Sequence, residues 1–324
     1  MKRQTMTIVV LALMAMGTSR AANVASDLAA GYTAWTNDSS GPSSVGFDPW
    51  ILQVTSNDVA PNGMFIGDST LNAGGTNDLV GTDINTAGQA WGMYANSGQT
   101  ATGIRQLQGG PLLVGQNVTV FMDNGYLDGG SAVGIGLQNA LGQSVVEVMF
   151  RGGQLTYEYN AATGLVATAF PYNSHGVRVG ITLTSFTTFT GSIANGSTNV
   201  VFSDTLMNPS GGPLITQVRL FNFNAGGGSD HDQYFNLMGV SPPPASVPLP
   251  PPAFTAVSVT NGQYVSTWST TNVAMYDLLS STDLVAAVWS DVPGASNMVG
   301  FSGSMSLTNA GPAVMFYRVR QRDS

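Results

Sequence analysis

Few side chains in this sequence suit acid–base work, and their spacing limits what they could do. Glu147 and Glu158 are the only glutamates, and His175 and His231 the only histidines. Two carboxyl groups about 5 to 9.5 Å apart across a glycosidic bond can hydrolyse it, one as acid and the other as base or nucleophile. Glu147 sits in Val146-Glu-Val-Met-Phe150 and Glu158 in Thr156-Tyr-Glu-Tyr159, with a Gly152-Gly153 turn between them. Cross-strand pairing around that turn permits a glycosidase pair. The competing reading, which we favour, makes each a sheet-surface carboxylate partnered by an arginine such as Arg151 or Arg178.

Other catalytic constellations are thinner. A serine triad would have to use Ser174-His175 or Ser229-Asp-His-Asp232, and neither serine stands in a Gly-x-Ser-x-Gly elbow. A zinc site would need both histidines and an aspartate. There is no cysteine, which excludes a catalytic thiol, a thiolate metal site and an iron–sulfur cluster, and no lysine follows Lys2. The sequence therefore predicts a protein that is not an enzyme.

Binding chemistry is better represented. Calcium takes oxygen ligands from Asp, Asn and backbone carbonyls. Asp230 and Asp232 beside Asn224 are the candidate structural calcium site, and Asp123, Asn124 and Asp128 form a second group; the same residues also make ordinary turns. Aromatic rings stack on the apolar faces of sugars while Asn, Asp, Gln and Arg bond the hydroxyls. Trp91, Tyr94, Tyr157, Tyr159 and Arg105 are the candidate carbohydrate contacts, with Trp35, Trp50, Tyr126 and Tyr172 as further aromatics. Tyr157 and Tyr159 share a strand face by period-2 geometry.

These residues must be positioned by strands. Gly, Ser, Thr, Asn and Val dominate, and helix-forming Glu and Lys are nearly missing. Alternating runs at Ser131 to Gln138, Ser144 to Phe150, Gln154 to Tyr159 and Leu165 to Phe170 are joined by turns short enough to force an antiparallel meander. Further runs bring the first 240 residues to a dozen or so strands, which suits a two-sheet sandwich. Ser241 to Pro252 is a proline-rich linker, on the order of 37 Å long if extended at about 3.1 Å per residue. Beyond it, residues 253–324 show about seven new strands.

Two resemblances follow from these patterns. The strand count, the meander, and the last strand Tyr234 to Val240 entered from Asn224-Ala-Gly-Gly-Gly-Ser229 make residues 23–240 resemble the concanavalin-like and laminin-G-like jelly rolls. That resemblance implies glycan binding on a sheet face. The Glu-x-Asp-x-Glu strand of that class's hydrolases has no counterpart here. Trp268, Tyr276 and Tyr317 resemble the core aromatics of a fibronectin type III module, and Ser281-Thr-Asp-Leu284 with Trp289 resembles C-terminal modules of secreted bacterial surface proteins. The expected fold is all-β: a large two-sheet jelly-roll sandwich and a small fibronectin type III-like, immunoglobulin-like β-sandwich acting as a spacer.

Compartment and partners come from the ends and the charge. Lys2 and Arg3, the apolar run Met6 to Gly17 and Ser19-Arg20-Ala21 read as a signal peptide over residues 1–21. Its removal leaves seven arginines against 18 acidic residues. Such a chain builds no phosphate-tracking surface, so nucleic acid is excluded as a partner. The run is too short to span a bilayer and no later one approaches it. The expectation is a secreted or cell-surface protein that binds a polysaccharide or cell-surface glycan, or other surface proteins. The alternative is a structural surface or matrix component without a small ligand.

Overall fold

The computed structural model describes residues 25–41, 44–55, 62–71, 84–173, 175–242, 252–260, 263–270, 275–283, 288–296, 298–299, 303–309 and 316–322. The expected signal peptide and most of the proline-rich linker lie outside these residues. The chain divides into two compact units, one spanning residues 22–244 and the other containing residues 245–324. Among the described residues no helix is long and apolar enough to cross a membrane.

The first unit contains, in chain order, β1 (Ala25–Asp27), β2 (Ile51–Val54), β3 (Asn62–Gly67), β4 (Ala90–Ala95), β5 (Thr100–Gln106), β6 (Asn117–Asn124), β7 (Ala132–Gln138) and β8 (Ser144–Arg151). It continues with β9 (Thr156–Ala161), β10 (Gly164–Pro171), β11 (Val177–Leu183), β12 (Thr188–Asn195), β13 (Thr198–Thr205), β14 (Gln217–Phe223) and β15 (Gln233–Val240). Two antiparallel sheets result. One runs β13-β12-β11-β6-β15-β4-β3 with β1 added to β15, and the other β10-β9-β8-β7-β14-β5-β2. The meander β7 to β10 forms one half of the second sheet, and β14 returns from far along the chain to lie beside β7.

Alternation decides which residues lie between the sheets. Val118, Val120 and Met122 of β6 and Val179 and Ile181 of β11 face Val133, Ile135 and Leu137 of β7 and Val148 of β8 in one continuous core. This packing stands in for disulfides, which the cysteine-free chain cannot form. One end of the core is a tryptophan cluster: Trp50 lies 5.0 Å from Trp35 and 5.1 Å from Trp91, ring centre to centre, and both pairs meet edge to face. Gly103 makes room for it, since a Cβ there would stand 2.9 Å from the Trp35 ring.

The second unit has a three-stranded sheet of β16 (Phe254–Thr260), β17 (Gln263–Thr270) and β21 (Gly303–Asn309). Its other sheet is centred on β18 (Met275–Ser281), which pairs with β19 (Ser290–Asp291), β20 (Met298–Val299) and β22 (Phe316–Arg322). Trp268 and Tyr276 are buried in its core, with Tyr317 packed against them. Asp277 is fully buried and receives two hydrogen bonds from Arg320, so a partner across β18 and β22 satisfies its charge.

Candidate functional site

Along β7 the inward residues are Val133, Ile135 and Leu137, and the outward ones are Ala132, Gly134 and Gly136. The outer side of the seven-stranded sheet therefore has a central strip almost without side chains of its own, in which Gly134 and Gly136 are buried beneath the flanking residues. The register places Phe223, Phe221 and Arg219 of β14 along one side of the strip, and Arg151, Met149 and Glu147 of β8 along the other. Glu158 and Asn160 of β9 stand one strand further out, opposite Met149 and Glu147. We refer to this strip and its flanks as the furrow.

Its polar groups are tied together. Arg219 Nη1 donates to Glu147 Oε1 at 3.2 Å, across Gly136. Glu147 also accepts from Ser144 Oγ at 2.7 Å and from Asn160 Nδ2 at 3.4 Å. Arg151 grips Glu158 with two hydrogen bonds, one of them Nη2 to Oε1 at 3.0 Å. The Arg219 guanidinium also lies 4.5 Å over the Phe221 ring. Burial lowers the Arg219 pKa while Glu147 opposes the shift, and the bond to Glu158 raises that of Arg151. At one end a chain of amides crosses three strands, Gln106 to Gln217 at 3.4 Å and Gln217 to Gln138 at 3.0 Å.

The two glutamates share this outer face as diagonal cross-strand neighbours, so the sequence is right that they can be brought close. Each is paired with a guanidinium. The partner of Glu147 is Arg219, however, and Arg178 lies on the other sheet.

The structure corrects most of the expected carbohydrate contacts. Trp91 and Tyr157 are fully buried and Tyr159 nearly so. Tyr157 and Tyr159 do share a face, but it is the one toward the core. The Tyr157 hydroxyl donates to Asn124 Oδ1 at 2.5 Å, and Tyr159 stacks on Phe202 at 4.6 Å. Burial raises the pKa of both phenols, that of Tyr157 strongly. Trp35 and Trp50 are core as well. Arg105 is fully buried against Asp27, with its guanidinium near the Phe47 and Trp50 rings. A group sealed in the core cannot touch a glycan, and period 2 reveals a shared face without saying which face is wet. Tyr94 alone of the five is exposed, lying over Gly63 on the outer face of the eight-stranded sheet.

The candidate calcium ligands make contacts within the chain. Asn224 Oδ1 accepts the Gly98 amide at 2.6 Å, and Asp230 Oδ1 lies 3.1 Å from His231 Nδ1. Asn224 and Asp230 thus each have one side-chain oxygen engaged. His231 Nε2 is also 3.5 Å from Asp128, and Asn124 is tied to Tyr157 and to the Gly125 carbonyl. Among the described residues no group of three or more His, Asp or Glu side chains is gathered for a metal. Burial and the neighbouring Asp230 charge push the Asp232 carboxyl up to about 6.

Arg219, Phe221 and Asn160 were not singled out by sequence. The available signal was the small-outside, large-inside alternation of Ala132 to Leu137, which marks one strand face kept free of large side chains.

No family model matches the sequence, and no curated protein matches it. Among solved structures, a tetrameric galectin from the ball sponge Cinachyrella sp. is 14% identical, with a TM-score of 0.31, over 42% of this chain and 99% of the galectin. A glycosyl hydrolase family 16 protein from Mycobacterium smegmatis is 10% identical, with a TM-score of 0.31, over 56% of this chain and 75% of its own. Likenesses this slight carry no argument about activity. The fold assignment rests on the two sheets themselves.

Proposed function

We propose that the first unit is a non-catalytic carbohydrate-binding domain of an exported protein, and that the furrow is its binding face. The observation that carries this reading is the partly exposed Arg219–Glu147–Asn160 network, with the exposed Phe223 ring further along β14. Sugars combine hydroxyls that donate and accept at once with apolar C–H faces, and pre-oriented planar groups next to a ring meet both demands. Holding these groups in place before binding lowers the entropic cost of the complex.

The second unit is, in this proposal, a fibronectin type III-like spacer. Its support is that Trp268 and Tyr276, from two different sheets, share one core with Tyr317 against it.

A panel of polysaccharides and cell-surface glycans presented to the full chain tests the reading. At least one ligand class should bind, Arg219→Met and Asn160→Ala should each weaken it roughly tenfold, and no reducing ends should be released. A blank panel would favour a structural surface component. Hydrolysis that disappears in both Glu147→Gln and Glu158→Gln would make the protein a glycosidase.

A further inference from the structure

The outer face of the eight-stranded sheet holds a cavity of about 270 Å³ at the meeting of β6, β11 and the β12–β13 hairpin. Phe121 and Ala194 flank Arg178 across the strands, and Gly176, Asn195 and Gly196 close the end. The closure is fixed. Asn195 Nδ2 donates to the Gly176 carbonyl at 2.6 Å, tying the hairpin to the start of β11. Both glycines have positive φ, +72° and +54°, which favours glycine, and a Cβ at Gly176 would also stand 2.8 Å from Ile84.

Arg178 stands apart from the other arginines of the sandwich. Arg105, Arg151 and Arg219 each pair with a carboxylate. Arg178 has no ion-pair or hydrogen-bond partner among the described residues and is exposed. Thr182, Thr190, Ser192 and Ser203 stand on the same outer face, and Asp123 of β6 lies beside Gly176. In a chain with 18 acidic residues, an exposed guanidinium left unpaired at a half-open cavity presents five donors to whatever enters.

We propose that this cavity is a second subsite, separate from the furrow, that takes one acidic sugar residue by its carboxylate. Arg178 engages the carboxylate through its planar fork, the geometry in which arginine exceeds lysine. The Phe121 ring offers the sugar an apolar surface, and Asn195 Oδ1, which makes no hydrogen bond among the described residues, can accept from a hydroxyl. The volume lies just below the range typical of drug-sized ligands, which suits a single residue of a chain. That the anion is carried on a sugar rests on the carbohydrate-binding reading above; that the cavity takes an anion does not.

The test follows the guanidinium signals of the arginine-labelled full chain by NMR during titration with sodium glucuronate, methyl glucoside or inorganic sulfate. Glucuronate should shift the Arg178 signal saturably at millimolar concentration and methyl glucoside should not, while Arg178→Met should weaken glucuronate binding roughly tenfold. Arg219→Met should leave the Arg178 response unchanged, so failure at the furrow stays distinguishable from failure here. Sulfate binding as tightly as glucuronate would overturn the sugar assignment and leave a plain anion site. An Arg178 signal unmoved by both anions would overturn the proposal altogether.

Discussion

Asp27 and Arg105 form an ion pair at 2.9 Å with neither side chain reaching solvent. Tyr32 donates to the same Asp27 oxygen at 2.7 Å, and Trp50 Nε1 donates to Tyr32 at 3.1 Å. The network fixes β1 against β5 from inside the core. Its members lie 5, 18 and 78 residues apart in sequence. Breaking a buried pair strands one charge, so Asp27→Asn should cost about 3 to 5 kcal/mol in a denaturant titration. Replacing both partners with apolar residues of similar size should recover much of that loss. A cost of Asp27→Asn below about 1 kcal/mol, the scale of an exposed pair, would mean the site is hydrated.

The same packing makes the tryptophans silent reporters. Trp35, Trp50, Trp91 and Trp268 are buried, whereas Trp289 is partly exposed and carries Arg318 over its ring at 4.6 Å. Acrylamide should therefore quench only the minor part of the emission that comes from Trp289. A glycan bound in the furrow should leave the emission maximum unchanged. A ligand-induced shift would return a tryptophan of the sandwich to the binding face.

How much the sequence revealed depended on whether the deciding contact was local. The meander was legible because strand alternation and glycine turns are short-range: the run read from Ser144 to Phe150 forms as Ser144–Arg151, and the final strand Gln233–Val240 forms as expected. The faces of those strands were not. Tyr157 points inward because the eight-stranded sheet supplies Asn124 to meet its hydroxyl, a partner 33 residues away. Trp91 is core because Trp35 and Trp50 converge on it, and nothing within any one strand records that convergence. Likewise the carboxylates of β8 and β9 showed that arginines were needed, yet Arg219 reaches Glu147 only because β14 inserts beside β7.

The two glycines of the furrow should separate stability from binding. A Cβ on Gly134 would stand 2.3 Å from the Val148 carbonyl, a backbone atom that cannot move aside, so Gly134→Ala should destabilise the domain by about 1 to 3 kcal/mol. The nearest atoms to a Cβ on Gly136 would be side-chain atoms of Glu147 and Ser144, at 3.4 Å or more. Gly136→Ala should therefore fold with a melting temperature near that of the parent, while its methyl beside the Arg219–Glu147 pair weakens glycan binding. Unimpaired binding by well-folded Gly136→Ala would move the site off the furrow.

Asp232 should give the domain a stability that declines with pH. Its carboxyl titrates at about 6 in the folded protein, raised from 3.8 by burial first and by the Asp230 charge second, with His231 opposing. Between about pH 4 and pH 6 the unfolded chain has released this proton while the folded chain still holds it, so the folded state binds more protons and loses stability as pH rises. The contribution is fully present below about pH 4 and gone above about pH 6. Its size, discounted for partial solvation, is on the order of 1 to 3 kcal/mol. Asp232→Asn removes the titrating group and keeps the shape. The variant should lose this slope in urea midpoints measured across that window and be the more stable form at neutral pH. An identical slope in parent and variant would assign the pH dependence to other carboxyl groups and show that Asp232 is well solvated in the folded chain.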